Sequence, residues 1–180
     1  PNGDWTWDDL RSAAKALTDA DNNIYGLDLP VYDKNGGYTW NWLPFLWQNG
    51  GEFLNDDRTE AVFNSPEGVE ALEFWKKMVQ EDKSVPLQAA PTGVNRFTSG
   101  ITAMVLDGPW SLNTFLSDPE FKDKFGVAPL PQKKTRATVV GGEGVAVFSN
   151  TKSPQEAYDY LVHLTCSDFV QTFWENWITI

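Results

Sequence analysis

Apolar residues recur at helical spacing in several stretches of the chain, and the residues that precede these stretches are typical of helix starts. Thr6 predicts the cap of a first helix, which ends near Thr18. Ser65, followed by Pro66, predicts a capped helix that continues to about Asp82. The residues of that helix expected to be buried are Val69, Leu72, Phe74, Trp75 and Val79.

The end of the chain has two further helical patterns. Residues 153–156 have the sequence of a capping box and predict a helix that extends to about Thr165. A last helix is predicted from about Asp168 to Trp177. The single histidine, His163, and the single cysteine, Cys166, lie in this apolar helical region, so we expect both in the core. One cysteine and one histidine allow neither an intrachain disulfide nor a Cys/His zinc cluster.

Short apolar runs bounded by glycine and proline predict strands between these helices. They cover residues 25–29, 101–106, 125–131 and 139–148. The run at 101–106 is almost continuously apolar, which is typical of a strand covered on both faces. Strands that alternate with helices predict a layered α/β fold.

Residues 38–54 combine an unusual density of aromatic side chains with a double glycine, Gly50 and Gly51, at which we expect the helix to break. At helical spacing Leu43, Leu46 and Trp47 share one face, which we expect to be buried. Trp40 and Trp42 then exceed what the core of this helix requires. A tryptophan at a helix start offers a flat apolar surface suited to the C–H face of a sugar ring, while the alternative is that these rings are ordinary core.

Composition and charge exclude several kinds of partner. The 180 residues include 14 Lys and Arg against 25 Asp and Glu, which gives a net charge of -11. Phosphate backbones and anionic membrane surfaces attract basic proteins, so this chain is not expected to bind nucleic acid or such membranes. No apolar run has membrane-spanning length. The chain begins at Pro1 and ends on apolar residues, and we interpret it as part of a longer protein.

Several local motifs, taken in order, resemble one family: the extracellular solute-binding proteins of bacterial ABC importers, in the carbohydrate-binding group similar to maltose-binding protein. The matching residues are Thr6-Trp7-Asp8-Asp9-Leu10, 18–21 with 25–26, Leu46-Trp47-Gln48-Asn49-Gly50-Gly51, Phe63-Asn64-Ser65-Pro66-Glu67, Phe97 with 100–107 and Gly108-Pro109-Trp110, 125–131, Gly141 to Val147, and 153–164. Each motif is weak alone, but together they cover nearly the whole chain.

The resemblance implies a periplasmic-binding-protein-like fold of type II, with a short mixed sheet flanked by helices. In such proteins two α/β lobes enclose the ligand, and this chain is expected to be an incomplete two-lobe protein. Residues 1–132 would form most of the second lobe, 133–138 a connecting segment, and 139–180 a segment that returns toward the first lobe. The rest of the first lobe, the signal sequence and any lipid-attachment cysteine would lie outside this sequence.

The resemblance also implies ligand-binding positions. Trp40 and Asn41 match the cleft wall of the second lobe, and Trp110 matches a position that often stacks on sugar. Gly142 and Glu143 match the glycine-rich stretch near the crossover between lobes. Many members have an aromatic or small polar residue where this chain has Glu143, so hydrogen bonding to hydroxyls replaces stacking there. Trp110 could instead be a packing residue, and Glu143 a solvated charge.

The function implied is capture of a sugar or oligosaccharide and its delivery to the permease subunits of an ABC transporter. The binding protein would be extracellular, periplasmic or at the cell surface. No cofactor, metal or catalytic residue is implied, and membrane association would depend on the permease or on a lipid anchor outside this sequence. The alternative is a glycoside hydrolase or lyase, whose paired carboxylates would be Asp107 and Glu143. A lobe without its opposite wall exposes Trp40 and Trp110, so we also expect the chain as given to self-associate.

Overall fold

A computed structural model describes residues 4–31, 37–141, 144–166 and 168 of the chain. Three helices of the first half supply most of the core: α1 (Trp7–Ala16), α2 (Gly37–Gln48) and α3 (Pro66–Lys76), which continues as a π-helical turn over Lys77–Glu81. A 3-10 turn at Pro109–Ser111 leads into the short helix α4 (Leu112–Ser117). Helix α5 (Pro154–Cys166) follows the connecting segment.

The predicted starts of α1 and α3 are confirmed. The Thr6 hydroxyl accepts a hydrogen bond from the Asp9 amide, and the Asp9 carboxylate accepts one from the Thr6 amide at 2.8 Å, which completes a capping box. The hydrogen bonds that the Thr6 amide and hydroxyl donate to the Asp9 carboxylate lower the pKa of Asp9. At α3 the Ser65 hydroxyl accepts from the Gly68 amide. Both caps satisfy amides that the helix itself leaves without partners.

The double glycine ends α2 as the sequence predicts. Gly50 has φ of 81°, and the amides of Gly50 and Gly51 donate to the carbonyls of Trp47 and Leu46. This is the Schellman arrangement, in which the left-handed residue is usually glycine. The buried face of α2 differs from the prediction, because Trp42, Phe45 and Leu46 are buried while Leu43 and Trp47 are only partly so.

An aromatic cluster explains which face of α2 is buried. The ring of Trp7 stacks on Phe74 with centroids 4.8 Å apart and lies 5.4 Å from Phe45. Phe45 in turn meets the edge of Trp75 at 5.6 Å. Such pairs contribute beyond the area they bury. Phe45 therefore connects α2 with both α1 and α3.

Two of the predicted core residues of α3 are exposed. Phe74 and Trp75 are buried as expected and Val79 is partly buried, but Val69 is 47% and Leu72 54% exposed. The helix turns Ala71, Phe74, Trp75 and Met78 toward the core, so positions 69 and 72 fall on another face. They line an apolar groove of about 820 Å³ together with residues that include Val31, Thr39, Trp42, Phe53 and Phe63.

The predicted sheet occurs only as isolated bridges among the described residues. Parallel bridges pair Tyr25 with Thr102 and Asp28 with Val105, so the runs at 25–29 and 101–106 do lie side by side. The described residues of the runs at 125–131 and 139–148 are irregular, and the prediction of strands there was wrong. Prolines 129 and 131 cannot donate to a ladder, and glycines weaken the second run.

Helix α5 confirms the predicted element but not its burial. It buries none of its residues, and both His163 and Cys166 are exposed, so their assignment to the core was wrong. An apolar pattern identifies the face that a helix would bury, but it does not supply a surface to bury it against. The last predicted helix, to Trp177, lies outside the described residues apart from Asp168.

Candidate functional site

Trp40 projects from the first half of α2 and is 38% exposed. The backbone of Gly141 lies directly beside its ring: a Cβ added to Gly141 would be 2.5 Å from Cη2 and 3.0 Å from Cζ2 of Trp40. Real side chains do not approach so closely, so only glycine leaves room for the ring at this position. The Trp40 ring therefore has backbone packed against it and still keeps part of its surface in solvent.

The neighbours of Trp40 on α2 have different environments. Asn41 is partly buried, and Trp42 is buried with 7% of its surface exposed. The Trp42 ring meets the edge of Phe63 at 6.2 Å between centroids. Trp42 is thus a core residue, and of the two tryptophans only Trp40 has the exposure that a ligand contact requires.

Trp110 lies in the 3-10 turn at Pro109–Ser111 and is 61% exposed. Its ring also lies over a glycine, since a Cβ on Gly108 would be 2.2 Å from Cη2 of Trp110. Asp107 organises the turn by accepting hydrogen bonds from the Gly108 amide, at 2.8 Å, and from the Ser111 hydroxyl. Trp110 is therefore not part of the core that the described residues form, and its role as a ligand contact stays a prediction.

Gly142 and Glu143 lie outside the described residues. The adjacent Gly141 nevertheless contacts Trp40, so the start of the glycine-rich stretch lies beside this residue of α2. The sequence singled out the glycine pair as a stretch that approaches ligand, but not as the packing partner of Trp40. A glycine pair is consistent with close packing, but nothing local identifies which side chain it approaches.

The connecting segment is anchored to α2 by Gln48, whose side chain is fully buried. Its Oε1 accepts from the Trp7 indole at 2.7 Å, and its Nε2 donates to the Ala137 carbonyl at 2.9 Å. The main-chain carbonyl of Gln48 accepts from the amides of Lys134 and Thr135 at 2.9 and 3.1 Å. Most side chains of the connecting segment are exposed, but hydrogen bonds to Gln48 fix its backbone.

Charge pairs reinforce this anchor. Lys133 pairs with Glu70, and its Nζ lies 4.6 Å from the centroid of the Trp7 ring. The hydrogen bond from Lys133 lowers the pKa of Glu70, and a second bond, from the Asn49 amide at 2.8 Å, acts in the same direction. The Nζ of Lys134 lies 3.9 Å from Oε1 of Glu67. Lys133 and Lys134 of the connection thus face acidic side chains of α3, whereas Arg136 pairs with Asp4.

Two other kinds of site are absent from the part of the chain that the structure describes. No group of three or more His, Cys, Asp or Glu side chains is arranged to hold a metal ion there. None of the helices described has the length and apolar character needed to cross a membrane.

Solved structures share this architecture. An ABC transporter solute-binding protein of Thermotoga lettingae, bound with α-D-tagatose, is 30% identical with a TM-score of 0.79. The match covers 97% of this chain and 45% of that one. An ABC substrate-binding protein of Listeria monocytogenes, in complex with cycloalternan, is 30% identical with a TM-score of 0.75, over 94% of this chain and 42% of that one. The chain has a periplasmic-binding-protein-like fold.

Sequence comparison identifies the family. Residues 2–168 match the family model of bacterial extracellular solute-binding proteins, and the chain belongs to that family. A lactose-binding protein of Rhizobium radiobacter is 26% identical over 171 residues, which are 91% of this chain and 38% of that protein. A binding protein of Brucella abortus is 26% identical over 175 residues. The chain spans about 42% of the length of that second relative.

Proposed function

We propose that this chain is part of an extracellular carbohydrate-binding component of an ABC transporter, which captures a sugar or oligosaccharide and delivers it to the permease. The observation that carries the proposal is the exposure of two tryptophan rings, Trp40 and Trp110, each packed on a glycine. Aromatic faces that are held in place and solvent-accessible match the apolar C–H faces of sugars. The lactose, tagatose and cycloalternan named for the relatives above are of this ligand class.

The ligand site would lie between two lobes, with residues 1–132 as most of the second lobe, 133–138 as the connection and 139–180 as the returning segment. The parallel bridges at Tyr25 and Asp28 support a short mixed sheet in the second lobe. The contact between Trp40 and Gly141 supports a site near the crossover, to which Asn41, Gly142 and Glu143 would add hydrogen bonds. A ligand that touches both lobes stabilises the closed form, which the permease would recognise.

Binding rather than catalysis is the activity of the proteins that this chain resembles, since its relatives are named as binding proteins. The carboxylate of Asp107 is engaged by Gly108 and Ser111 in organising the turn that carries Trp110. Its role in that turn argues against Asp107 as one of a hydrolase's paired carboxylates. An assay for reducing ends released from an oligosaccharide panel is expected to show none.

Calorimetry on the two-lobe protein that contains this sequence tests the proposal. The panel comprises tagatose, lactose, maltose-type oligosaccharides and cycloalternan. Trp110→Ala is expected to weaken binding of the best ligand by about 1–3 kcal/mol, because it removes one aromatic surface of the site. Leu87→Ala, which truncates another exposed apolar side chain, is the matched control and is expected to bind as the parent does. Unchanged affinity in a folded Trp110→Ala variant would contradict the proposed site.

We also propose that the 180-residue chain on its own self-associates. Trp40 and Trp110 are exposed, and so are Val69 and Leu72 at the apolar groove. Apolar surface of this kind favours association of copies. Light scattering is expected to show a dimer or larger species, whereas a monomer that binds an oligosaccharide tightly would contradict the proposal.

A further inference from the structure

The returning chain contacts α2 at two places. Near the end of the helix, Gln48 holds the backbone of Lys134, Thr135 and Ala137. Eight residues earlier on the helix, Trp40 packs against Gly141. The earlier part of the segment therefore lies at the end of α2, and its later part lies near the start of α2. The segment and the helix run antiparallel.

The lengths of the two paths agree. Eight residues of α-helix rise about 12 Å. Four residues of extended chain, from 137 to 141, span about 13 Å. An extended run therefore fits along α2 between its two contacts, and the position of Gly141 at the ring follows from where Gln48 fixes Ala137.

From this arrangement we propose that Gly141 is a positioning residue for the ligand surface of Trp40, and that Gln48 sets its register. This rests on the proposed function of Trp40 as a ligand contact. The backbone at Gly141 occupies space beside the ring, so the ring cannot move toward the connection. The segment that joins the lobes thereby determines how Trp40 is presented to the sugar, and any shift of that segment on lobe closure is transmitted to the ring.

A side chain at position 141 is incompatible with the present ring position. The added methyl group would approach Cη2 of Trp40 to 2.5 Å, so the ring must rotate away or the segment must shift. Gly141 does not have a positive φ, so alanine there adds no backbone strain of its own. Gly126→Ala is a matched control, because a Cβ at Gly126 meets nothing within 4 Å and φ is again not positive.

The first measurement requires no ligand. The indole N–H resonance of Trp40, assigned by its loss in Trp40→Phe, is followed by NMR in the 180-residue chain. Gly141→Ala is expected to shift this resonance, and Gly126→Ala to leave it in place. An unmoved resonance in a folded Gly141→Ala variant overturns the proposal whatever the ligand turns out to be.

The second measurement is a double-mutant cycle by calorimetry in the two-lobe protein. Gly141→Ala is expected to lower sugar affinity at least about tenfold when Trp40 is present and to have no further effect in Trp40→Ala, because it acts through the ring. Equal losses in both backgrounds overturn the positioning role. A parent protein that binds no carbohydrate, although the Trp40 resonance shifts, overturns the proposed function and reduces Gly141 to a packing residue.

Discussion

Two sets of tryptophans in this molecule have opposite environments. Trp7, Trp42 and Trp75 are buried at 4%, 7% and 5% exposure, within a cluster of rings from α1, α2 and α3. Trp40 and Trp110 are 38% and 61% exposed, each with its ring over a glycine. A tryptophan that other side chains bury contributes to stability. A tryptophan ring that packs on the backbone of a glycine is held in position, and its other surface stays accessible to a ligand.

Charged groups show the same contrast. The Asp82 carboxylate is only 4% exposed and accepts two hydrogen bonds from the Arg11 guanidinium. The pair between Lys133 and Glu70 is 29% and 54% exposed. Partly buried, doubly bonded pairs contribute more than solvated ones, because water and salt screen the latter.

Replacement of Trp75 by alanine is the largest effect that this contrast predicts. We expect Trp75→Ala to lower the free energy of unfolding by about 3–5 kcal/mol, since the ring meets Phe45 and leaves a cavity in the core. Thermal unfolding measures the loss, and calorimetry on the folded fraction is expected to give the parent affinity. Trp40→Ala is the counterpart, with reduced affinity and a melting temperature near that of the parent. Reversed outcomes would break the distinction between the two sets.

Asp82→Asn should have the next largest effect. The hydrogen bond from Arg11 lowers the pKa of Asp82, so the folded state favours the charged carboxylate. We expect a loss of about 1.5–3 kcal/mol at neutral pH, measured by urea unfolding. Because the folded pKa is below the unfolded one, this stability is present above the unfolded pKa and is lost as pH falls through the folded pKa. The difference between parent and variant should therefore shrink below about pH 4. A difference independent of pH would assign the loss to packing.

Local residues account for what the sequence predicts correctly. The caps at Thr6 and Ser65 and the glycine end of α2 depend on neighbours within a few positions, and all three are confirmed. The bridges between residues 25–28 and 102–105 depend on chain more than 70 positions away, which makes strand extent hard to predict. Trp40 and Trp42 show why the site residues are hard to predict from sequence. Both are tryptophans, two residues apart on one helix, and they differ only in what packs against them.

The smallest effect is expected at the exposed pair between the connecting segment and α3. Glu70→Gln removes the charge that Lys133 faces but keeps an oxygen that can accept from Asn49, so we expect a stability loss below about 1 kcal/mol. Since the pKa of Glu70 is lowered in the folded state, the stability that the pair contributes is also lost on acidification. It should also decrease in 1 M salt, where the Debye length is about 3 Å. Glu73→Gln, on the exposed side of the same helix, controls for the loss of one negative charge. A Glu70→Gln variant that is as destabilised as Asp82→Asn and insensitive to salt would contradict the contrast. That result would place the Lys133–Glu70 pair with the buried groups and show that charge as well as Gln48 holds the connection.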